Sequence, residues 1–137
     1  MKSILSFAIG LIALFTVTTG FTPVIKANPH FVSGPCLSGR TIQATIAGLG
    51  SGAVTTTVSG SFICVTKGGG EPKPHAFSLT KIDNKRTGGN YKLNFSVSSL
   101  CPNPNFTFRI SDLHIIVSTS DGTTLDQTFE GRLPTCR

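Results

Sequence analysis

Between Tyr91 and Val117 the chain reads YKLNFSVSSLCPNPNFTFRISDLHIIV, and through most of it apolar residues fall on every second position. Tyr91, Leu93, Phe95 and Val97 point one way, with Lys92, Asn94 and Ser96 opposite them. After the CPNPN corner, Phe106, Phe108 and Ile110 repeat the pattern, and Leu113, Ile115 and Val117 follow. A period of two with one apolar face belongs to strands whose sheet is covered on one side only. A helix would space its apolar residues three and four apart. This stretch therefore ties the chain to an antiparallel β fold around a single core.

The remaining segments fit the same plan. Asn28 to Pro35 is short and bounded by prolines, which suits an edge strand or an N-terminal arm. Arg40 to Ala47 alternates Ile42, Ala44 and Ile46 with polar residues. Val54 to Val65 puts Val54, Val58, Phe62 and Cys64 on one face, with Gly60 the expected bulge or bend. Phe77 and Leu79 mark a strand ending near Ile82, and Leu125 and Phe129 supply the inward face of a last one. Between these lie GLGSG from Gly48, KGGGEPKP from Lys67 and DNKRTGGN from Asp83, all rich in turn formers. Asp121-Gly122 predicts a hairpin closed by a type I′ turn.

Seven or eight strands without helical periodicity predict an all-β fold. We expect a two-sheet antiparallel β-sandwich, immunoglobulin-like in the loose sense, with a small barrel as the alternative. The Cys-Trp-Cys core of antibody domains is excluded, because the chain has no Trp.

Lys2 followed by the apolar run Ile4 to Val17 has the layout of a secretory signal peptide, and the run is shorter than the ~20 residues a spanning helix needs. Cleavage is expected after Ala27, with Gly20 the other candidate, dividing the chain into a leader (1–27) and one secreted domain (28–137). No second apolar span follows, so the mature protein is expected to be extracellular or periplasmic with no integral membrane span. Cys36, Cys64, Cys101 and Cys136 all follow the leader, and an even count in an exported chain reads as two disulfides. Metal sites need close ligand spacing, and the smallest gap here is 28 residues. Four cysteines allow three connectivities. Cys64–Cys101 would tie two strand ends, and Cys36–Cys136 would join the mature termini, so this pairing is preferred.

Removing Lys2 and Lys26 with the leader leaves ten basic and six acidic residues, a net charge of +4. That mild excess favours acidic polymers or cell-surface components as partners without demanding them. Candidate binding residues concentrate in and beside two loops: Lys67, Lys73, Lys81, Lys85, Arg86 and Lys92. If KGGGEPKP and DNKRTGGN project from one end of the sandwich, they form a basic rim on a rigid scaffold. Nucleic-acid binding is not expected, since stacking aromatics are missing from this set.

No catalytic arrangement, metal site or cofactor site is expected. Asp112, His114 and Ser118 invite a hydrolase reading, but residues four apart on one strand are separated by about 13 Å. Asn94-Phe95-Ser96 and Asn105-Phe106-Thr107 are N-glycosylation sequons, meaningful only in a host with that machinery.

NPHF at the expected mature start, AGLG from Ala47, Cys64 followed by a Gly/Pro-rich loop, and CPNPN from Cys101 carry a resemblance. The chain resembles a group of small secreted bacterial β-sandwich proteins of unknown function, over most of residues 28–131. The resemblance implies export and a sandwich, and it brings no activity with it. The leading expectation is a non-enzymatic extracellular binding or adhesion domain using the basic loops. A filament or matrix subunit assembled by strand addition through Asn28–Pro35 is the alternative, so that monomer and self-assembly both stay open. A secreted hydrolase inhibitor inserting KGGGEPKP is the third.

Overall fold

A computed structural model describes residues 28–70, 72–84 and 89–137. The expected leader (1–27) and its expected cleavage site lie outside the described residues, as do Glu71, Lys85 and Arg86. Among the described residues seven strands follow one another: β1 (His30–Ser38), β2 (Thr41–Ala47), β3 (Val54–Val65), β4 (His75–Asp83), β5 (Tyr91–Ser96), β6 (Thr107–Thr119) and β7 (Thr124–Arg132). One short 3₁₀ turn, Ser98–Leu100, sits in the connection from β5 to β6.

The strands form two antiparallel sheets, ordered β1-β2-β5 and β4-β3-β6-β7, packed face to face. Alternation produces the core: Ile42, Ile46, Leu93, Phe95 and Val97 come from the first sheet, and Val54, Val58, Ile110, Leu113, Ile115 and Val117 from the second. The fold is the expected two-sheet sandwich. The expected edge strand at the mature start runs on through Cys36 to Ser38 and pairs with β2.

β6 joins two alternating segments into one strand of 13 residues. Its inward residues are even-numbered up to Ile110 and odd-numbered from Leu113, so one extra residue must be absorbed between them. Asp112 absorbs it with φ of 54°, a conformation uncommon for any residue but glycine. The neighbouring strands adjust at the same level, with register shifts at Ser59/Ser61 on β3 and Ser111/Leu113 on β6. Gly60 is needed there because a Cβ would lie 3.0 Å from the carbonyl oxygens of Ser111 and Asp112.

The β6–β7 hairpin forms as expected, but its turn is not type I′. Gly122 has φ of 92° while Asp121 keeps a negative φ, and the Gly122 amide donates to the Thr119 carbonyl. That is a type I turn followed by a left-handed glycine, the commonest three-residue hairpin loop. The Asp121 carboxylate accepts from the Thr119 hydroxyl and from the Thr123 amide, which holds its pKa below the usual value. Those bonds favour the negative-φ Asp over the mirror-image turn.

Both expected disulfides form, Cys36–Cys136 and Cys64–Cys101. After β7 the chain crosses toward the first sheet, where Leu37 and Thr135 make a parallel bridge. β1 and β7 therefore run the same way, which gives the sandwich an upper end (the 38–41 turn, the 66–74 loop, the 97–106 connection and the C-terminus). The 48–53 and 120–123 loops, the end of β4 and the start of β5 make the lower end.

Candidate functional site

The four described candidate cations, Lys67, Lys73, Lys81 and Lys92, do not share one end. Phe62 pairs with His75 and Val54 with Asp83 along β3 and β4, so the loops before and after β4 leave from opposite ends. β4 has nine residues, which separates those loops by roughly 25–30 Å. Lys67 and Lys73 are exposed at the upper end. Lys92 is exposed near the lower end, on the outer face of the first sheet opposite Thr45. Lys81 turns toward the other sheet, its Nζ donating to the Asn94 carbonyl of β5 at 2.9 Å. The single basic rim expected from the sequence is thus divided, and Lys81 joins two strands.

A different cationic site lies where the bulges align. Arg109, Ser111 and Arg132 sit on the outer face of the four-stranded sheet, with Ser61 beside them on β3. With Phe62, Ile63, Pro74 and Asp112 they line a cleft of about 390 Å³. The Asp112 carboxylate accepts the Gly131 amide at 2.9 Å, which fixes the end of β7 against the bulge. Pro74 belongs to KGGGEPKP, so this loop, with Lys73 next to Pro74, edges the cleft. Two guanidinium groups and two hydroxyls are donors suited to carboxylate, sulfate or phosphate oxygens.

Neither arginine stood out in the sequence, because each is a lone cation on its own strand. The available signal was the change from even to odd inward positions between Ile110 and Leu113. That change demands a bulge, and bulges re-aim side chains on an otherwise flat sheet.

Other polar features are structural. Arg40 Nη2 donates to the carbonyls of Asn103 and Phe106 at 2.8 and 3.0 Å, and its guanidinium lies 5.5 Å from the centroid of the Phe108 ring. It holds the CPNPN corner onto the sheet. His114 Nε2 lies 2.6 Å from Asp126 Oδ1 on the next strand, so the aspartate facing this histidine is not Asp112. Ser118 lies two register positions along β6 from Ile116, the residue opposite Asp126, and the pair stands on an open sheet face. Asn94 and Asn105 are both exposed.

Among the described residues, no cluster of three His, Cys, Asp or Glu side chains could hold a metal. Among the same residues no helix is long and apolar enough to cross a membrane. Two disulfides are compatible with an extracellular or periplasmic protein. Compared with known proteins, the chain matches no family model and no curated sequence.

Proposed function

We propose that this is a non-enzymatic extracellular binding domain whose ligand is an acidic polymer, held at the upper end of the four-stranded sheet. The observation that carries this reading is the cleft formed by Arg109, Arg132, Ser61 and Ser111 beside the Lys67–Pro74 loop. Cations from β6, from β7 and from the loop come within one region there, although the sequence separates them. A repeating polyanion would meet several of these charges at once, so modest single contacts would add up.

The strand order supports grouping the sandwich with immunoglobulin-like domains. Strands one, two and five face strands three, six and seven as in the constant type, with the fourth strand moved beside the third. Domains of this architecture bind through loops and faces carried on a rigid frame. The strand-addition reading has less support, because His30 to Ser38 is already a strand of its own sheet.

The test is retention on immobilised dextran sulfate, with uncharged dextran as control. The wild-type protein should be retained and released by salt, since exposed charge contacts are screened. The double variant Arg109→Gln, Arg132→Gln should elute at clearly lower salt, and Lys92→Gln should elute with wild type. Equal retention of all three would refute the assignment to this cleft.

A further inference from the structure

A second cavity, of about 300 Å³, opens on the side of the sandwich between β1 and β7. Its walls are Pro35, Phe129, Leu133 and Pro134, and its floor is the core residue Leu113, only 1% exposed. The seam is shut below it by the edge-to-face pair Phe31–Phe129, at 5.2 Å between centroids. Above it, the Leu37–Thr135 bridge and the Cys36–Cys136 bond shut it again. Between these closures β1 loses its register with β2 from Ser33 to Cys36. Each lip carries a glycine, Gly34 on β1 and Gly131 on β7, and a Cβ at either would meet open space.

The rim has one charge of each sign. Glu130 and Arg132 flank Gly131, and both are exposed. An apolar cavity of ~150 Å³ is enough for benzene, so this one has room for a ring or branched alkyl group with its link. A plain hydrocarbon would leave both rim charges unused, and a fatty acid would engage Arg132 but offer nothing to Glu130. A zwitterion with an apolar side chain matches all three features. Its carboxylate suits the Arg132 fork, its ammonium suits Glu130, and its side chain fits the cavity.

We propose that the β1–β7 seam is a binding site for a free α-amino acid with a large apolar side chain, the phenylalanine or leucine class. The site is separate from the polymer cleft, although Arg132 borders both.

The experiment is calorimetric titration of the disulfide-intact protein with L-phenylalanine, N-acetyl-L-phenylalanine, L-phenylalaninamide and L-serine. L-Phenylalanine should bind, and each analogue lacking one charge should bind about tenfold more weakly, the worth of one charge-assisted contact. L-Serine should not bind. Glu130→Gln should weaken L-phenylalanine about tenfold and leave N-acetyl-L-phenylalanine unchanged, while Arg132→Gln should weaken both. Gly34→Leu should fill the cavity and abolish binding of every ligand without changing retention on dextran sulfate. If Gly34→Leu does not fold, the two rim variants decide the matter alone, since both lie at exposed positions. No heat at millimolar L-phenylalanine, equal binding of all four ligands, or rim variants with wild-type affinity would each overturn the proposal. Loss of polymer retention by the wild-type protein, with amino-acid binding intact, would remove the polymer reading and leave this one standing.

Discussion

The two open sides of the sandwich are closed by different means. On the β1–β7 side a disulfide, a backbone bridge and an aromatic pair join the sheets. On the β4–β5 side a hydrogen bond runs between the sheets from Lys81 to the Asn94 carbonyl. The first closure is strong, yet it leaves a cavity where both strands carry glycine. The second is weaker, and it too leaves a cleft, of about 290 Å³, between Leu79–Lys81 on β4 and Asn94–Ser96 on β5. A covalent link tolerates a gap between its anchors, because it stabilises chiefly by restricting the unfolded chain. Along β4 and β5 the sheets are held by packing and by side-chain bonds such as that of Lys81.

The largest effect should come from the covalent closure. Removing Cys36 and Cys136 together as alanines opens a link spanning 100 residues and should cost about 4–5 kcal/mol, read from the guanidinium midpoint. Replacing Cys64 and Cys101, 37 residues apart, should cost about 4 kcal/mol. A reversed order would mean that the seam does not depend on its disulfide. Phe129→Ala should cost about 2 kcal/mol, less than a fully buried Phe because its ring is half-buried. Urea unfolding with the disulfides intact would show whether the aromatic pair adds to the covalent link.

On the other side, Lys81→Val should change monomer stability by less than ~1 kcal/mol. A charge turned inward on an edge strand discourages pairing with another chain. The variant should therefore associate more readily as concentration rises, visible by light scattering. A strictly monomeric Lys81→Val would leave the lysine with a tie between strands and no guarding role.

The smallest effect belongs to the lower-end hairpin. The carboxylate of Asp121 titrates below the usual 3.8 in the folded state, chiefly because the Thr119 hydroxyl donates to it. Its contribution is complete above that value and is lost as pH falls through the lowered one. Asp121→Asn should remove this part of the acid-induced loss of stability, so the two proteins' unfolding midpoints should converge below the usual carboxylate range. Parallel profiles across that range would show that the turn gains nothing from the ionised side chain.

Much of this was legible in the residues. Alternation placed nearly every core position, from Ile42 and Ile46 to Leu113 and Val117, because a pleated strand turns successive side chains to opposite faces. Cysteine positions at strand ends led to the correct pairs. The divided basic rim could also have been read: turns on either side of one straight strand must leave from opposite ends, and β4 is such a strand. The type I turn at Asp121 was harder, since Asp-Gly suits both hairpin loops and the choice rests on bonds from Thr119 and Thr123.

By itself, the sequence determined which face of each strand is buried, how many cysteine links a chain of this size carries, and where the chain must turn. These are local properties, set by side-chain period, backbone freedom at Gly and Pro, and composition. Only the tertiary structure decided that β4 lies beside β3, that Arg109 and Arg132 border one cleft, and that Gly34 faces Gly131 across a cavity. The pattern of a strand specifies its face but not its neighbour. Neighbours and register are settled by pairing between residues far apart in the chain, so the sites that depend on them emerge only when the sheets are assembled.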